Sequence, residues 1–335
     1  MDIKKAIQKV IDHKDLSEKE MRSVFGDIMS GKVTPAQIGS FITALRMKGE
    51  TVEEITGAAK VMREKALKVK VTGTVLDTCG TGGSGKHTFN ISTTVAFVLA
   101  GCGVKVAKHG NRSASSKCGS ADVLEKLGVK LNVSAKVTEK CMNKINIGFL
   151  FAPLYHGAMK YAITPRREIG IRTIFNILGP LSNPASANCQ VLGVYDEKLT
   201  DTLIRVLKKL GAKRAFVVHG KDGLDEVTIT GKTKVSELRS GKTKSYYVSP
   251  ATFGFKRVSL TSIKGGTARD NAKMVKDVLS GKKGARRNIV LMNSSVALMA
   301  AGKVKSFKEG VRLAAESIDS GKAMESLKKL IKMTN

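Results

Sequence analysis

The chain has 335 residues, 42% of them hydrophobic, and its 58 Lys and Arg against 28 Asp and Glu give a net charge of +30. Length and apolar content place it in the globular class, with enough material for a large α/β unit and a smaller domain. The longest apolar stretches, Val95 to Val104 and Phe149 to Tyr155, are broken by Gly or Pro and fall short of the roughly 20 residues that span a bilayer, which excludes a membrane helix.

Cysteines at 79, 102, 118, 141 and 189 are odd in number and lack CxxC spacing, so neither a disulfide framework nor a zinc knuckle is expected. Cys79 sits inside a glycine-rich loop, where a small side chain fits the turn and packing is the expected role. The positive field attracts polyanions, either a highly charged small substrate or nucleic acid. No arm, zipper or RNP-type aromatic pattern accompanies the charge, so a solvated basic surface is the reading and nucleic acid is not expected as a partner. The amino-terminal MDIKKAIQKVIDHKD is charged throughout and lacks a secretory apolar core and cleavage site, so a cytoplasmic location is expected.

From Ile3 to about Lys68, apolar residues recur at three and four spacing, which predicts three or four short helices. Gly31 and Gly49 fit helix C-termini, Thr34-Pro35 fits an N-cap followed by a first-turn proline, and Thr51 with Glu54 forms a capping box. The pattern changes at TGTVLDTCGTGG, a β-branched run leading into glycines and then into the helix STTVAFVLAGCG. VKVAKHG follows as a second strand, and IGFLFAP, VLGVYD, AFVVHG and RNIVLMN read as further strands with helices between them. Strand, loop, helix, strand describes a mainly parallel doubly wound sheet, whose ligands gather at the carboxyl ends of its strands.

Four blocks carry chemistry. The first, Gly80 to Gly85 followed by Lys86, Thr88, Asn90, Ser92 and Thr93, lets backbone amides and a helix N-terminus approach an anion. The alternative is a tight turn that uses glycine for its backbone freedom alone. The loop matches neither GxxxxGK[ST] nor a clean GxGxxG. In the second block, Lys108-His109-Gly110-Asn111-Arg112 continuing through Ser120 to Asp122, Lys and Arg at a strand end supply charge to a leaving pyrophosphate. His109 reads equally as a ligand or a structural residue. The third, Asp222-Gly223-Leu224-Asp225-Glu226, puts carboxylates at a strand end, where hard oxygen ligands suit magnesium. The fourth runs from Tyr155-His156 through Arg166-Arg167 to Gly179-Pro180, with an Arg suited to a carboxylate and a ring platform suited to a flat acidic acceptor.

The strings GTGG-S-G-x-x-TFNIST, VAKHGNRSASSKCGSADVLEKLG, IRTIFNILGPLSNPA and DGLDE, in this order across almost the whole chain, closely resemble the anthranilate phosphoribosyltransferase family of tryptophan biosynthesis. The resemblance implies a small helical domain over residues 1–70, with a returning helical segment near 165–185, and a large α/β domain over 71–335. It implies that Gly80, Gly83, Ser84, Thr88, Asn90, Ser92, Thr93, Lys108 and Ser120 hold 5-phosphoribosyl-1-pyrophosphate. Asp225 and Glu226, with Ser92 helping, would hold two magnesium ions. Gly80, Asn111, His156, Arg166 and Gly179 would line the path of anthranilate, and Lys108 and His109 would serve at the reacting centre. A homodimer formed through the helical domain is implied, and an association with the glutamine amidotransferase of anthranilate synthase stays open. Two positions depart from the family pattern: Ser84 stands where Asp is common, and Gly157 where Pro is common. A pyrimidine nucleoside phosphorylase of related fold and a non-catalytic nucleic-acid-binding relative are the alternatives, which phosphorolysis and oligonucleotide titration would separate.

Overall fold

The first helices begin at side chains that cap them. Four helices, α1 (Ile3–Ile11), α2 (Glu18–Ile28), α3 (Pro35–Lys48) and α4 (Val52–Lys65), open the chain. Ser17, Thr34 and Thr51 each accept from the amide three residues on, and Glu20, Gln37 and Glu54 return the bond. Each box satisfies two amides that helix geometry leaves without partners. Phe25, Phe41, Ile42, Leu45 and Ile55 are fully buried between these helices, each contributing about 1.5–3 kcal/mol by leaving water. The structure, a computed structural model, describes residues 1–113 and 118–335.

A seven-stranded sheet follows, with β1 (Val75–Gly80), β2 (Lys105–Gly110), β3 (Ile147–Phe151), β4 (Cys189–Gly193), β5 (Arg214–Gly220), β6 (Thr233–Arg239) and β7 (Lys242–Val248) in the order β3-β2-β1-β4-β5-β6-β7. The first five strands are parallel, while β6 and β7 pair antiparallel at one edge. Chain order reverses beside β1, which lies between β2 and β4, and this is where an open parallel sheet leaves a crevice at its carboxyl ends.

Successive strand residues face opposite sides of the sheet, and each side has its own core. On one side, Leu76, Val106, Val191 and Phe216 pack with α5 (Ile91–Gly101), α12 (Ala268–Leu279), α13 (Ala285–Ala300), α14 (Phe307–Asp319) and α15 (Lys322–Thr334). On the other, Leu192, Ala215 and Val217 pack with α11 (Leu199–Lys209) and with residues of α1 to α4 in one continuous cluster. Helices α9 (Lys160–Ile169) and α10 (Phe175–Leu181) also belong to that cluster, through Ala162, Phe175 and Leu178, so the chain returns to the amino-terminal helices after β3.

Two readings of the sequence differ from the fold. RNIVLMN is not a strand; it lies inside α13, whose residues from Ile289 to Leu298 are all buried. A helix enclosed on every side has no polar stripe, so its apolar run mimics a buried strand. The hairpin β6-β7 lacks a signal of its own because β7 is largely exposed. Its turn is Ser240-Gly241, with φ of 49° and 73°, the left-handed pair of a two-residue hairpin loop.

Candidate active site

The glycine loop leaves β1 at Gly80, which is in register with Gly193 at the end of β4. Both positions must lack a side chain: a Cβ on Gly80 would sit 2.5 Å from Asp225 Oδ2, and one on Gly193 would sit 1.7 Å from the Asp225 carbonyl oxygen. The two glycines therefore admit the segment after β5 over the strand ends. Gly82 donates its amide to Asp225 Oδ2 at 3.1 Å, joining the loop to that segment. Gly82, Gly83 and Gly85 have φ of 68°, 77° and 67°, a region that favours glycine, and Ser84 lies among them. Thr88 bridges to Lys264 where the loop leaves. Asn90 precedes α5 and accepts from Asn271 Nδ2 at 3.0 Å.

Below the loop, the Lys108 ammonium is buried. It donates to the Thr78 carbonyl at 2.7 Å and to Ser92 Oγ at 3.2 Å. Burial lowers its pKa, while Asp77, Cys79 and Glu226 oppose that shift. Thr93 beside Ser92 is buried with an unpartnered hydroxyl among the described residues. Asp225 and Glu226 follow at the mouth of β5. Burial and the neighbouring Asp225 push the Glu226 pKa up to about 8, against the opposing pull of Lys108 and the Ser92 backbone. One pocket is lined by Thr78, Ser92, Gly193 and Glu226. Two adjacent carboxylates and a hydroxyl, with Lys108 the nearby cation, are a donor set deficient in positive charge. They fit magnesium, which takes one or two carboxylates and completes its shell with water and phosphate oxygens. Asp222, by contrast, accepts from Thr228, Thr230 and the Leu224 amide, and so shapes the turn.

His109 Nε2 lies 3.2 Å from His156 Nε2, and both rings are buried. Burial holds His109 near 3, with His156 and Lys108 pushing the same way and a hydrogen bond to the Gly179 backbone opposing; burial holds His156 near 4. Both are neutral at physiological pH. Two neutral rings share one proton across this contact, and the tautomer sets which ring donates. The Arg166 guanidinium stacks 4.9 Å over Phe175, and burial lowers its pKa. It has no carboxylate within ion-pairing distance among the described residues, which leaves it available to a ligand carboxylate.

The fold thus brings Gly80, Ser92, Lys108, Asp225 and Glu226 to one crevice, with His109, His156 and Gly179 joined beside it, while Asn90 bonds Asn271 and Thr93 lines a separate void with Phe97, Lys108 and Leu124. Asn111 is exposed and its side chain accepts the Arg112 amide; Ser120 Oγ donates to the Asn111 carbonyl. Arg112 does not face the crevice, because Glu125 and Asp122 engage it on the surface. The part of the second block from Ala114 to Lys117 lies outside the described residues. Cys79 is no nucleophile: burial raises its thiol pKa well above the usual value, and Gln190 Nε2 lies 3.2 Å from its sulfur. Sequence reasoning passed over Gly193, although a glycine closing the buried strand β4 mirrors Gly80 closing β1. Arg172, part of the fourth block but given no role of its own there, donates to the Gly83 carbonyl and stacks 4.3 Å over Tyr195, thereby tying α9 and α10 to the loop.

Comparison with known proteins agrees with this geometry. The a/b domain of a glycosyl transferase family matches residues 72–324, and the family's helical bundle domain matches residues 4–66. The chain is 60% identical to an anthranilate phosphoribosyltransferase of Geobacter sp. (strain M21), with 99% of each chain covered. It is 57% identical to that of Geobacter sulfurreducens over the same shares. Among solved structures it is similar to anthranilate phosphoribosyltransferase from Thermus thermophilus, with a TM-score of 0.94 and 40% identity over 98% of this chain and 99% of that one. It is also similar to the Saccharomyces cerevisiae enzyme in complex with PRPP and Mg, with a TM-score of 0.91 and 31% identity over 99% of this chain and 97% of that one. The chain belongs to this glycosyl transferase family and, within it, to the anthranilate phosphoribosyltransferases.

Proposed function

We propose that this chain transfers the 5-phosphoribosyl group of 5-phosphoribosyl-1-pyrophosphate to the amine of anthranilate and releases pyrophosphate. The observation that carries the reading is the convergence of the glycine loop, Lys108, Ser92 and the Asp225-Glu226 pair at the reversal of strand order. Amides of Gly80 and Gly83, side chains of Ser84, Thr88, Asn90, Ser92, Thr93 and Ser120, and the Lys108 ammonium hold the donor. Lys108 carries fixed positive charge to the pyrophosphate as it leaves, in a site where desolvation strengthens the interaction. Asp225, Glu226 and Ser92 would hold two magnesium ions, which when bound neutralise phosphate charge and orient the donor. Ser84 brings a neutral hydroxyl where the family pattern has Asp.

Arg166 pairs with the acceptor carboxylate, and Gly80, Asn111, His156 and Gly179 line its path. The neutral His109-His156 pair presents rings, not charge, to a flat aromatic acid. An aniline-type amine is neutral at pH 7, so attack on the ribose carbon needs positioning more than a strong base. The magnesium complex of the yeast relative supports the metal assignment. The chain acts as a homodimer through its amino-terminal helices; Met47 and Ile163, 79% and 44% exposed, are apolar residues at that end. The test is loss of anthranilate fluorescence on adding donor, with and without magnesium. Asp225→Asn with Glu226→Gln abolishes magnesium-dependent turnover, and unchanged turnover would remove both residues from the metal assignment.

A further inference from the structure

The pairing of β1 with β2 is shorter than that of their neighbours. It runs through Val75↔Lys105 and Leu76↔Val106 and then stops, although both strands continue, to Gly80 and Gly110. On the outer flanks pairing persists to the strand ends, Gly80↔Gly193 for β1 with β4 and Gly110↔Phe151 for β2 with β3. The sheet therefore loses its ladder between the strand that feeds the glycine loop and the strand that carries Lys108 and His109.

Backbone groups buried in a sheet need partners, and here side chains supply them. Asp77 Oδ1 accepts the His109 amide at 3.3 Å, Lys108 Nζ donates to the Thr78 carbonyl at 2.7 Å, and Asn183 Nδ2 donates to the Ala107 carbonyl at 2.8 Å. Asn183 is itself held by the Ala185 amide at 2.9 Å. Asp77 is fully buried, and its Oδ2 has no hydrogen-bond partner among the described residues. Burying a carboxylate is costly without compensation, and an apolar residue would serve a plain β-strand better. The hydrogen bonds of Asp77 and Asn183 reach neither Gly80 to Gly85 nor the Asp225-Glu226 segment.

We propose that Asp77 and Asn183 are positioning residues that bridge the lapsed β1-β2 pairing and so fix how Lys108 and His109 are aimed at the reacting centre. The inference rests on the transferase reading above. Of the donor contacts proposed above, all but Lys108 and Ser120 lie on the glycine loop and at the start of α5, so loss of the bridge misaims Lys108 and His109 and lowers kcat by more than it raises the donor KM. Misplacement of about 1 Å costs on the order of a hundredfold in rate.

The experiment compares Asp77→Ala, Asp77→Asn and Asn183→Ala with the full-length protein. Turnover is expressed per donor-binding site, counted by calorimetric titration with 5-phosphoribosyl-1-pyrophosphate and magnesium. Asp77→Ala lowers kcat by about a hundredfold, Asn183→Ala by about tenfold, and donor KM stays within about threefold for both. Asp77→Asn keeps an acceptor for the His109 amide and recovers at least about tenfold of the Asp77→Ala loss. Hydrogen exchange reads the bridge without activity: the His109 amide exchanges at least about tenfold faster in Asp77→Ala, while amides of β5 keep their rates. An unchanged His109 amide, a kcat per site within about threefold of the parent, or Asp77→Asn no better than Asp77→Ala would each overturn the proposal. A parent chain without transferase activity would refute the transferase reading, and the exchange measurement would still judge the bridge.

Discussion

Gly193→Ala should cripple the reaction although Gly193 bears no chemistry. The new methyl carbon would lie 1.7 Å from the Asp225 carbonyl oxygen and 2.5 Å from its carbon, where real contacts are no closer than 3.0 Å. The obstacle is backbone, so no side-chain rotation relieves it, and the Asp225 peptide must retreat by about 1 Å or more. That segment is fastened on both sides: the Gly220 amide donates to the Leu224 carbonyl at 2.8 Å, and Val227 exchanges two bonds of 2.9 Å with Asn293. Overpacking of this kind costs about 1–3 kcal/mol, or about 2–5 °C in Tm for a domain of this size. Moving the two carboxylates by that distance should lower kcat about a hundredfold and raise the magnesium concentration needed for half the maximal rate. Differential scanning fluorimetry and the anthranilate fluorescence assay measure both. Gly157→Ala is the control, since a Cβ there meets nothing within 4 Å; its stability should stay within about 0.5 kcal/mol. A Gly193→Ala enzyme with parental kcat and parental magnesium response would refute the claim that this glycine admits Asp225.

Three further outcomes follow from the site. Glu226 has a pKa raised from 4.5 to about 8 in the ligand-free chain, so its contribution to stability is full below 4.5 and is lost as pH rises through 8. Magnesium needs the carboxylate, and its affinity should weaken as pH falls below 8, by at most about tenfold per pH unit; magnesium affinities that match at pH 6 and 8 would contradict this. His109 and His156, lowered from 6.5 to about 3 and about 4, contribute stability that is full above 6.5 and is lost as pH falls through 4 and then 3. Imidazole NMR signals of the pair should not titrate between about pH 5.5 and 8, and a midpoint in that range would show that the pair is not buried as described. Arg166→Ala should raise the anthranilate KM by about tenfold or more and the donor KM by less; the reverse order would move Arg166 out of the acceptor path.

Much of this was legible in the order of residues. The N-cap at Thr34 and the capping box at Thr51 are local, because a side chain reaches an amide three residues away in any chain that turns there. The anion-binding character of Gly80 to Gly85 is local too, as closely spaced glycines expose amides whatever surrounds them, and the resemblance of four blocks named the family. What the residues did not disclose depends on neighbours distant in sequence. RNIVLMN reads as a strand because nothing in the short apolar run Ile289 to Met292 tells that a helix is enclosed on all sides. Arg112 looks like a phosphate ligand until Glu125, thirteen positions on, is found holding it. Gly193 becomes meaningful when β4 lies beside β1 and Asp225 crosses above both. Asp77 reads as one more residue of β1 until the β1-β2 pairing is seen to stop beside it. Sequence determined which groups could bind phosphate, metal and carboxylate, since that is fixed by their chemistry. Only the tertiary structure decided which of them meet, because the meeting depends on strand order, on where pairing lapses, and on space left by a missing side chain.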